Sequence, residues 1–445
     1  MSDKNNKATV GRGARFFKLA GMTATVAGNY ARSQVKSAFL SAEAKVVEKA
    51  SAHQLNGERI AETLGELKGA VMKVGQMASI ATDILPKEMS DALGKLQREA
   101  PPMPFSVIEN QIQSEFGASP QSLFARFDPE PFAAASIGQV HRAQTDDGRE
   151  VIVKVQYPGV DKSCDSDLAH LKLAFRASGL IKMERKVLNA VFDELRDRLH
   201  EELDYCNEAD NVRLFREFHA QHDFVVIPEV VGERSSQRIL TLAYEPGDQI
   251  SELDDKGYSQ EVRNQAGVNL SHLFCTQLIQ LQSIHADPNP ANLALRADGK
   301  IVLYDFGCVK KVKPQVLFDY MNTFKAALDE DYEGVEKGMI ALGARNLKNV
   351  DYIEPEFYQM CRNIMLTPFI QKVPFDYAQS KIHEEVIKIM PQLLKRITAF
   401  QAPPEVVFID RVVLGHYGNL RNMRAKVSAG KILEPYIAEA LEVSS

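Results

Sequence analysis

Two short polar motifs, separated by one strand-like segment, constrain this chain more than any other feature. The first is the run HADPNPAN from His285 to Asn292, which places Asp287 five residues before Asn292. The second is Asp305-Phe306-Gly307, which follows the segment IVLY and begins thirteen residues after Asn292. Either motif alone is compatible with a chance pair of turns. The order and spacing of the two together indicate a functional site.

The residue types in these motifs suit one chemistry in particular. Phosphoryl transfer from ATP requires a carboxylate near the attacking group and oxygen ligands for the Mg²⁺ that bridges the phosphates. An Asp and an Asn five apart on one loop, with a second Asp at the end of the next hairpin, meet that requirement. The sequence therefore predicts a site for ATP (or ADP) and Mg²⁺.

A lysine in a strand-like segment is the next candidate. Lys154 alternates with valines in EVIVKVQ, where a solvent-facing lysine on the sheet is an equally plausible reading. In the functional reading its ammonium neutralises phosphates and is held by a carboxylate from a helix. The helix predicted over 186–218 carries Glu202, Asp204 and Glu208. Asp204 and Glu208 share a face, whereas Glu202 and Asp204 cannot converge unless the helix ends or distorts between them.

The segment before this strand is rich in alanine where an ATP-binding kinase has a glycine-rich loop. Glycine suits that place because bare backbone can lie against phosphates. One reading is a small helical cap or tight packing, and the other is a nucleotide loop whose methyl groups alter how phosphate is held. The candidate nucleotide-binding residues here are Ala133, Ala134, Ala135, Ser136 and Gly138.

The order of elements predicts an α+β protein with two lobes. Residues 43–104 are predicted to form a helical extension that carries Lys73 and Gln76 and ends at a proline cluster. Asp146-Asp147-Gly148 between two alternating runs is a strong hairpin signal, which places a small mixed α/β lobe over 105–245. A mainly helical lobe follows over 246–445. Lys73 and Gln76 alone indicate only an ordinary amphipathic helix.

Composition narrows the class of partner and the compartment. The net charge of −6 and the pI near 6.0 argue against nucleic acid as a partner. The five scattered cysteines form no CxxC pair, which predicts reduced thiols in a cytosol-like compartment rather than a zinc site. Residues 1–42 hold seven basic residues and one acid. They are read as a frayed solvated tail, a basic amphipathic segment on a membrane surface, or an organellar presequence.

Taken together, the motifs resemble the UbiB family of atypical protein-kinase-like ATPases, which is associated with ubiquinone biosynthesis. The resemblance extends from Leu64 to Arg424 and joins the KxGQ helix, the alanine loop, the segment VKVQYPGV, the ExD pattern, DPxxxN and DFG. It implies that Glu208 pairs with Lys154, that Asp287 occupies the catalytic position, and that Asn292 and Asp305 hold Mg²⁺. It also implies a regulatory set: Lys73 and Gln76 over the cleft where a kinase takes its peptide, together with Glu202 and Asp204, of which one or the other is expected to pair with Lys73.

The segment after DFG gives evidence on the class of substrate that does not depend on the resemblance. A helix is predicted within eight residues of Gly307, so there is no APE motif and no long activation segment to bind a peptide. We therefore expect an ATPase or a small-molecule or lipid kinase, with a protein kinase or a nucleotide-binding pseudokinase as alternatives. Expected partners are a phenolic or isoprenoid lipid, a membrane surface contacted by the basic N-terminal segment, and a biosynthetic protein complex.

Overall fold

The computed structural model describes residues 12–37, 102–134, 137–178, 185–346, 348 and 353–442, together with single positions between 44 and 63. The chain divides into two compact units. The N-unit comprises Met1–Ala209 and Val230–Tyr244, and the C-unit comprises Asp210–Glu229 and Glu245–Ser445. The lobes predicted from the sequence were 105–245 and 246–445. The compact units differ from them in assigning residues 210–229 and Glu245 to the C-unit.

The N-unit is built on one antiparallel sheet with helices before and after it. The strands run in the order β1-β3-β4-β6, and β2 also pairs with β3. Helix α6 starts in the N-unit and continues into the C-unit. The elements are α1 (Arg12–Ser37), α2 (Phe105–Phe116), α3 (Pro120–Leu123), β1 (Arg126–Phe127), β2 (Ala133–Ala134), β3 (Gly138–Gln144), β4 (Glu150–Gln156), α4 (Val160–Ser178), α5 (Arg185–Glu202), α6 (Tyr205–Phe218) and β6 (Ile239–Ala243).

The central hairpin forms where the sequence predicted it. Strands β3 and β4 pair in register from Gly138 opposite Gln156 to Gln144 opposite Glu150. Gly148 adopts a φ of 82° at the turn, a conformation that glycine reaches without steric cost. Val151, Val153 and Val155 of β4 are buried, because β4 lies between β3 and β6 and one face packs into the core.

The basic N-terminal segment is helical over the residues that the structure describes. Helix α1 packs against α4, and its Met22 and Val26 are buried. This contact overturns the reading of a frayed solvated tail for residues 12–37. Phe17 stays 74% exposed, so the helix keeps an apolar side chain on its outer face. Within the described part of the chain, every helix is too short or too polar to span a membrane.

The C-unit is mainly helical, as predicted. Its strands form a four-stranded sheet in the order β5-β10-β9-β7 and two separate pairs, β8 with β11 and β12 with β13. The strands are β5 (Val225–Val226), β7 (Asp248–Gln249), β8 (Ser283–His285), β9 (Leu293–Leu295), β10 (Ile301–Leu303), β11 (Val309–Lys311), β12 (Phe375–Asp376) and β13 (Lys426–Val427). The helices are α7 (Gln260–Cys275), α8 (Pro314–Leu328), α9 (Tyr332–Ala341), α10 (Pro355–Met365), α11 (Thr367–Ile370), α12 (Ile382–Lys395), α13 (Pro404–Met423) and α14 (Ala429–Glu442).

The largest apolar cluster of the C-unit supports the polar motifs. It joins a π-helical turn, Thr276–Gln280, to β8 and to helices α8, α13 and α14. Ile284 and Ala286 belong to this cluster and flank His285, so the backbone that leads into the first motif is fixed by packing. The second motif follows directly after the buried strand β10.

Candidate active site

Lys154 lies on a central strand and is buried. Its side chain is 10% exposed, and its Nζ donates to both carboxylate oxygens of Glu208 at 2.7 and 2.9 Å. The ring of Tyr205 lies 5.3 Å from the same ammonium. The reading of a solvent-facing lysine is therefore wrong, and the predicted ion pair is present. Glu208, whose side chain is 4% exposed, brings one formal negative charge to this buried position.

A break in the predicted helix 186–218 directs Glu208 toward Lys154. The single helix expected there is instead two, α5 and α6, because the chain leaves helical geometry at Leu203 and Asp204. Asp204 Oδ1 accepts from the backbone N–H of Cys206 at 3.0 Å and so satisfies a donor in the first turn of α6. Gln156 at the end of β4 donates to Leu203 O at 2.9 Å. These bonds tie the start of α6 to the strand that carries Lys154.

The predicted regulatory residues are only partly visible. Glu202 is the last residue of α5 and Asp204 precedes α6, and both are partly exposed. The condition set from the sequence, that the helix ends between them, is met. Lys73 and Gln76 lie outside the described residues, so their pairing with Glu202 and Asp204 stays a prediction.

The alanine segment forms a strand rather than a helical cap. Ala133 and Ala134 pair with Val140 and Gln139 of β3, and Ala133 is exposed. Ala135 and Ser136 lie outside the described residues. Gly138 opens β3 against β4, where an added Cβ would approach Val155 C to 3.0 Å and overlap its carbonyl oxygen. Packing alone therefore accounts for this glycine, and its nucleotide-binding role stays a prediction.

In the C-unit, the first motif forms a braced loop. Asn292 donates from Nδ2 to Asp287 Oδ2 at 2.9 Å, and Asn289 Oδ1 accepts from the backbone of Ala291 at 3.0 Å. A short 3₁₀ turn, Pro290–Asn292, connects the loop to β9. This bond occupies the amide nitrogen of Asn292, so the amide oxygen is left as the acceptor of the side chain, and its role as a metal ligand stays a prediction.

The second motif has an unusual backbone. Asp305 adopts a φ of 54°, a left-handed conformation that Asp tolerates better than most residues, and its Oδ1 accepts from Gly307 N–H at 3.2 Å. His285 Nε2 lies 2.7 Å from Asp305 O and must be the protonated nitrogen, since a carbonyl oxygen only accepts. These two bonds hold Asp305 in its strained conformation.

Phe306 anchors the same motif in the core. Its side chain is fully buried, and its ring lies 5.3 Å from the rings of both Phe215 and His285. Asn211 of α6 donates to Phe306 O at 3.0 Å. Both Phe215 and Asn211 belong to the part of α6 that lies in the C-unit, so this part of the helix packs against the DFG motif.

Helix α13 supports the loop of Asp287, and no pattern in the sequence indicates this contact. Asn419 donates to Pro288 O at 2.9 Å. Gly415 lies so close to Pro288 that an added Cβ would overlap the proline ring. Burial and the nearby His285 lower the pKa of His416 to about 3, so this side chain adds no positive charge beside the loop at neutral pH. Asn419 and Gly415 are more than 120 residues from the motif, so no local pattern could indicate them.

The segment after DFG is short, as predicted. Six residues, Cys308–Lys313, separate Gly307 from the first residue of α8, and three of them form β11. Strand β11 pairs with β8, with Val309 opposite His285. The segment is thus bound to the strand that precedes Asp287 and does not form a separate platform.

The residues present fit the cofactors predicted for them. Carboxylate and amide oxygens, as in Asp305 and Asn292, are ligands that suit Mg²⁺. A buried lysine held by a carboxylate suits the phosphates of a nucleotide. A buried ion pair is costly to desolvate and is weak evidence for a stabilising role, which favours a functional reason for Lys154 and Glu208.

Comparison with known proteins places the chain. Residues 95–339, more than half of the sequence, match the family model described as the ABC1 atypical kinase-like domain. The chain belongs to this family. The match confirms the resemblance to the UbiB proteins and the kinase-like α+β fold. A solved structure titled as the complex of Rv3197 with erythromycin from Mycobacterium tuberculosis aligns with a TM-score of 0.62 at 28% identity, over 88% of this chain and 96% of that one.

Curated relatives carry kinase names. "Probable serine/threonine-protein kinase abkA" of Dictyostelium discoideum is 28% identical over 98% of this chain and 81% of its own length. "Atypical kinase coq-8, mitochondrial" of Caenorhabditis elegans is 30% identical over 85% of this chain and 50% of its own. "Atypical kinase COQ8, mitochondrial" of Saccharomyces cerevisiae is 32% identical over 65% and 57%. The chain thus spans little more than half the length of the two COQ8 relatives.

Proposed function

We propose that this protein is an Mg²⁺-dependent ATPase, or a kinase of a small molecule or lipid, that supports ubiquinone or related isoprenoid-lipid metabolism. The observation that carries the proposal is the buried Lys154–Glu208 pair, with both oxygens of Glu208 within 2.9 Å of the ammonium. Such a pair is the arrangement by which kinases hold the lysine that contacts the nucleotide phosphates.

The candidate residues of the two units have separate proposed roles. In the N-unit, Lys154 would contact the α- and β-phosphates while Glu208 fixes its position. In the C-unit, Asn292 and Asp305 would hold Mg²⁺, which neutralises phosphate charge when it is bound. Asp287 would accept the proton of the attacking hydroxyl or water. The hydrogen bond from Asn292 keeps the Asp287 carboxylate in one orientation.

The short segment after DFG supports a non-protein acceptor. A protein kinase builds its peptide platform between DFG and APE. Here six residues separate Gly307 from α8, and three of them are committed to β11. A peptide acceptor would therefore lack its usual binding surface in this segment. Water or a small acceptor needs no such surface.

The names of the relatives support a proposal for the pathway and the location. Relatives named COQ8 and coq-8 are described as mitochondrial. We extend this to the present chain as action beside a quinone-synthesising protein complex, on or near a membrane that holds phenolic or isoprenoid lipid. Helix α1, with its basic residues and the exposed Phe17, is the proposed contact with that membrane. The predicted regulatory set, Lys73 and Gln76 with Glu202 and Asp204, would restrain the site against peptides.

Phosphate release from ATP distinguishes the acceptors. Purified full-length protein is incubated with labelled ATP and Mg²⁺ in three arms: alone, with vesicles containing a phenolic isoprenoid lipid, and with a peptide mixture. We expect free phosphate in the first arm, and more phosphate or labelled lipid in the second. Label in the peptides that exceeds release to water and lipid would refute the proposed acceptor class. Absence of turnover in all three arms would refute the enzyme.

A further inference from the structure

Three side chains of types that can ligate a metal lie together in the N-unit, on helices other than α6, which carries Glu208. Cys164 and Asp165 belong to α4, and His200 belongs to α5. The Cys164 Sγ, a carboxylate oxygen of Asp165 and an imidazole nitrogen of His200 lie within 4.8 Å of one another. Cys164 is fully buried, whereas Asp165 and His200 are exposed. The thiol therefore forms the floor of a site that opens to solvent.

The ligand types match a particular class of metal. Zn²⁺ binds sulfur, imidazole nitrogen and carboxylate oxygen at 2.0–2.3 Å in tetrahedral geometry, which puts ligand atoms about 3.3–3.8 Å apart. The three ligand atoms lie at most 4.8 Å apart, so the longest of these distances needs to shorten by only about 1 Å. His200 Nε2 is already 2.9 Å from Asp165 Oδ1. Three protein ligands leave a fourth position for water, as in many zinc sites.

An ordinary surface ion pair between His200 and Asp165 would explain only part of this cluster. A solvent-exposed His–Asp pair contributes little to stability, and it gives no reason for a buried thiol at the same point. Asp165 brings a formal negative charge to the cluster beside the buried thiol. Metal binding would displace the thiol proton.

We propose that Cys164, Asp165 and His200 form a Zn²⁺ site that joins α4 to α5. His200 lies two residues before Glu202, where α5 ends and the chain turns toward α6 and Glu208. A metal at this point would fix the end of α5 and therefore the start of α6, the helix whose Glu208 pairs with Lys154. The site is separate in chemistry from the Mg²⁺ ligands, because thiolate and imidazole favour Zn²⁺ and Co²⁺ over Mg²⁺.

Cobalt titration tests the site without any assay of ATP turnover. Full-length protein without a polyhistidine tag is stripped of metal with a chelator and titrated with Co²⁺, in the presence and absence of excess Mg²⁺. We expect one Co²⁺ per chain with a thiolate-to-cobalt charge-transfer band that persists in Mg²⁺ and disappears when Zn²⁺ is added. No band in the parent, or a band abolished by Mg²⁺, would overturn the proposal.

Variants identify the ligands. His200→Gln, at an exposed position, should weaken Co²⁺ binding at least about 100-fold, since even changes to outer-shell groups cost 10- to 100-fold. Cys164→Ser should remove the charge-transfer band. Cys206→Ser, which alters an exposed thiol on another helix, is the matched control and should leave the titration unchanged. Binding retained by His200→Gln, or lost in Cys206→Ser, would contradict the assignment.

Discussion

Replacing Gly415 by alanine should disturb the loop that carries Asp287. An added Cβ would overlap Cγ and Cβ of Pro288, well inside the 3.0 Å that real Cβ atoms essentially never cross. The obstacle is a rigid proline ring next to the backbone rather than the end of a flexible side chain. Pro288 directly follows Asp287, and Asn419 of the same helix is bonded to its carbonyl oxygen.

The size of the effect follows from that overlap. Carbon atoms pack at about 3.5–4.0 Å, so helix α13 and Pro288 must separate by at least about 1 Å. Overpacking of this kind costs about 1–3 kcal/mol, which exceeds the gain of up to about 1 kcal/mol from replacing a helical glycine by alanine. A displacement of about 1 Å at a catalytic group can reduce turnover about 100-fold.

Gly418 provides the matched control three residues along the same helix. Nothing lies within 4 Å of a Cβ added there. Gly418→Ala should therefore raise the midpoint of thermal unfolding and keep the parental rate of phosphate release. Gly415→Ala should remain folded, unfold at a lower temperature and release phosphate about 100-fold more slowly. If the two variants match in both assays, α13 does not position the Asp287 loop.

Three further substitutions test individual contacts. Asp305→Asn keeps a residue type that tolerates a positive φ but loses the charged metal ligand. The stabilisation by ATP and Mg²⁺, measured by thermal shift, should therefore fall by about 1.4 kcal/mol or more, which is a tenfold loss of affinity. An unchanged shift would refute the metal role. Glu208→Gln removes the carboxylate from a buried ion pair and should cost about 3 kcal/mol of unfolding free energy in denaturant titration. Glu217→Gln, at an exposed position of the same helix, should cost almost nothing, and equal losses would contradict the account of the pair. Asn419→Ala removes the hydrogen bond to Pro288 O, which should cost about 1 kcal/mol of unfolding free energy. It should slow phosphate release, while nucleotide affinity in equilibrium binding stays at the parental value. Weakened affinity at an unchanged rate would argue against a role of Asn419 in positioning the Asp287 loop.

Local patterns predicted the elements that depend on local chemistry. The β3–β4 hairpin follows from alternating valines and the Asp-Gly turn, and the short connection into α8 follows from the residues after Gly307. The break at Leu203–Asp204 was foreseen only as a condition, because an ideal helix places Glu202 and Asp204 on opposite sides. Sequence periodicity cannot show that Gln156, 47 residues earlier, bonds Leu203 O and helps to end the helix.

Long-range packing accounts for what the sequence did not reveal. For Gly138 the sequence leaves both tight packing and a phosphate loop open, and the close approach of β4 already requires a residue without a side chain there. Gly415 and Asn419 contact Pro288 only because α13 folds back onto the loop. Cys164 and His200 are 36 residues apart, so no cysteine–histidine spacing signalled a metal site, although α4 and α5 bring them together.

We propose above all that the Asp287 loop turns over ATP with Mg²⁺. The most direct measurement is the rate of phosphate release from ATP by full-length protein and by Asp287→Asn, with nucleotide affinity determined for both. We expect Mg²⁺-dependent release by the parent and a rate at least about 100-fold lower in the variant, at similar affinity, because the lost group accepts a proton in the reaction. Equal rates in the two proteins, or no release by the parent, would contradict the claim.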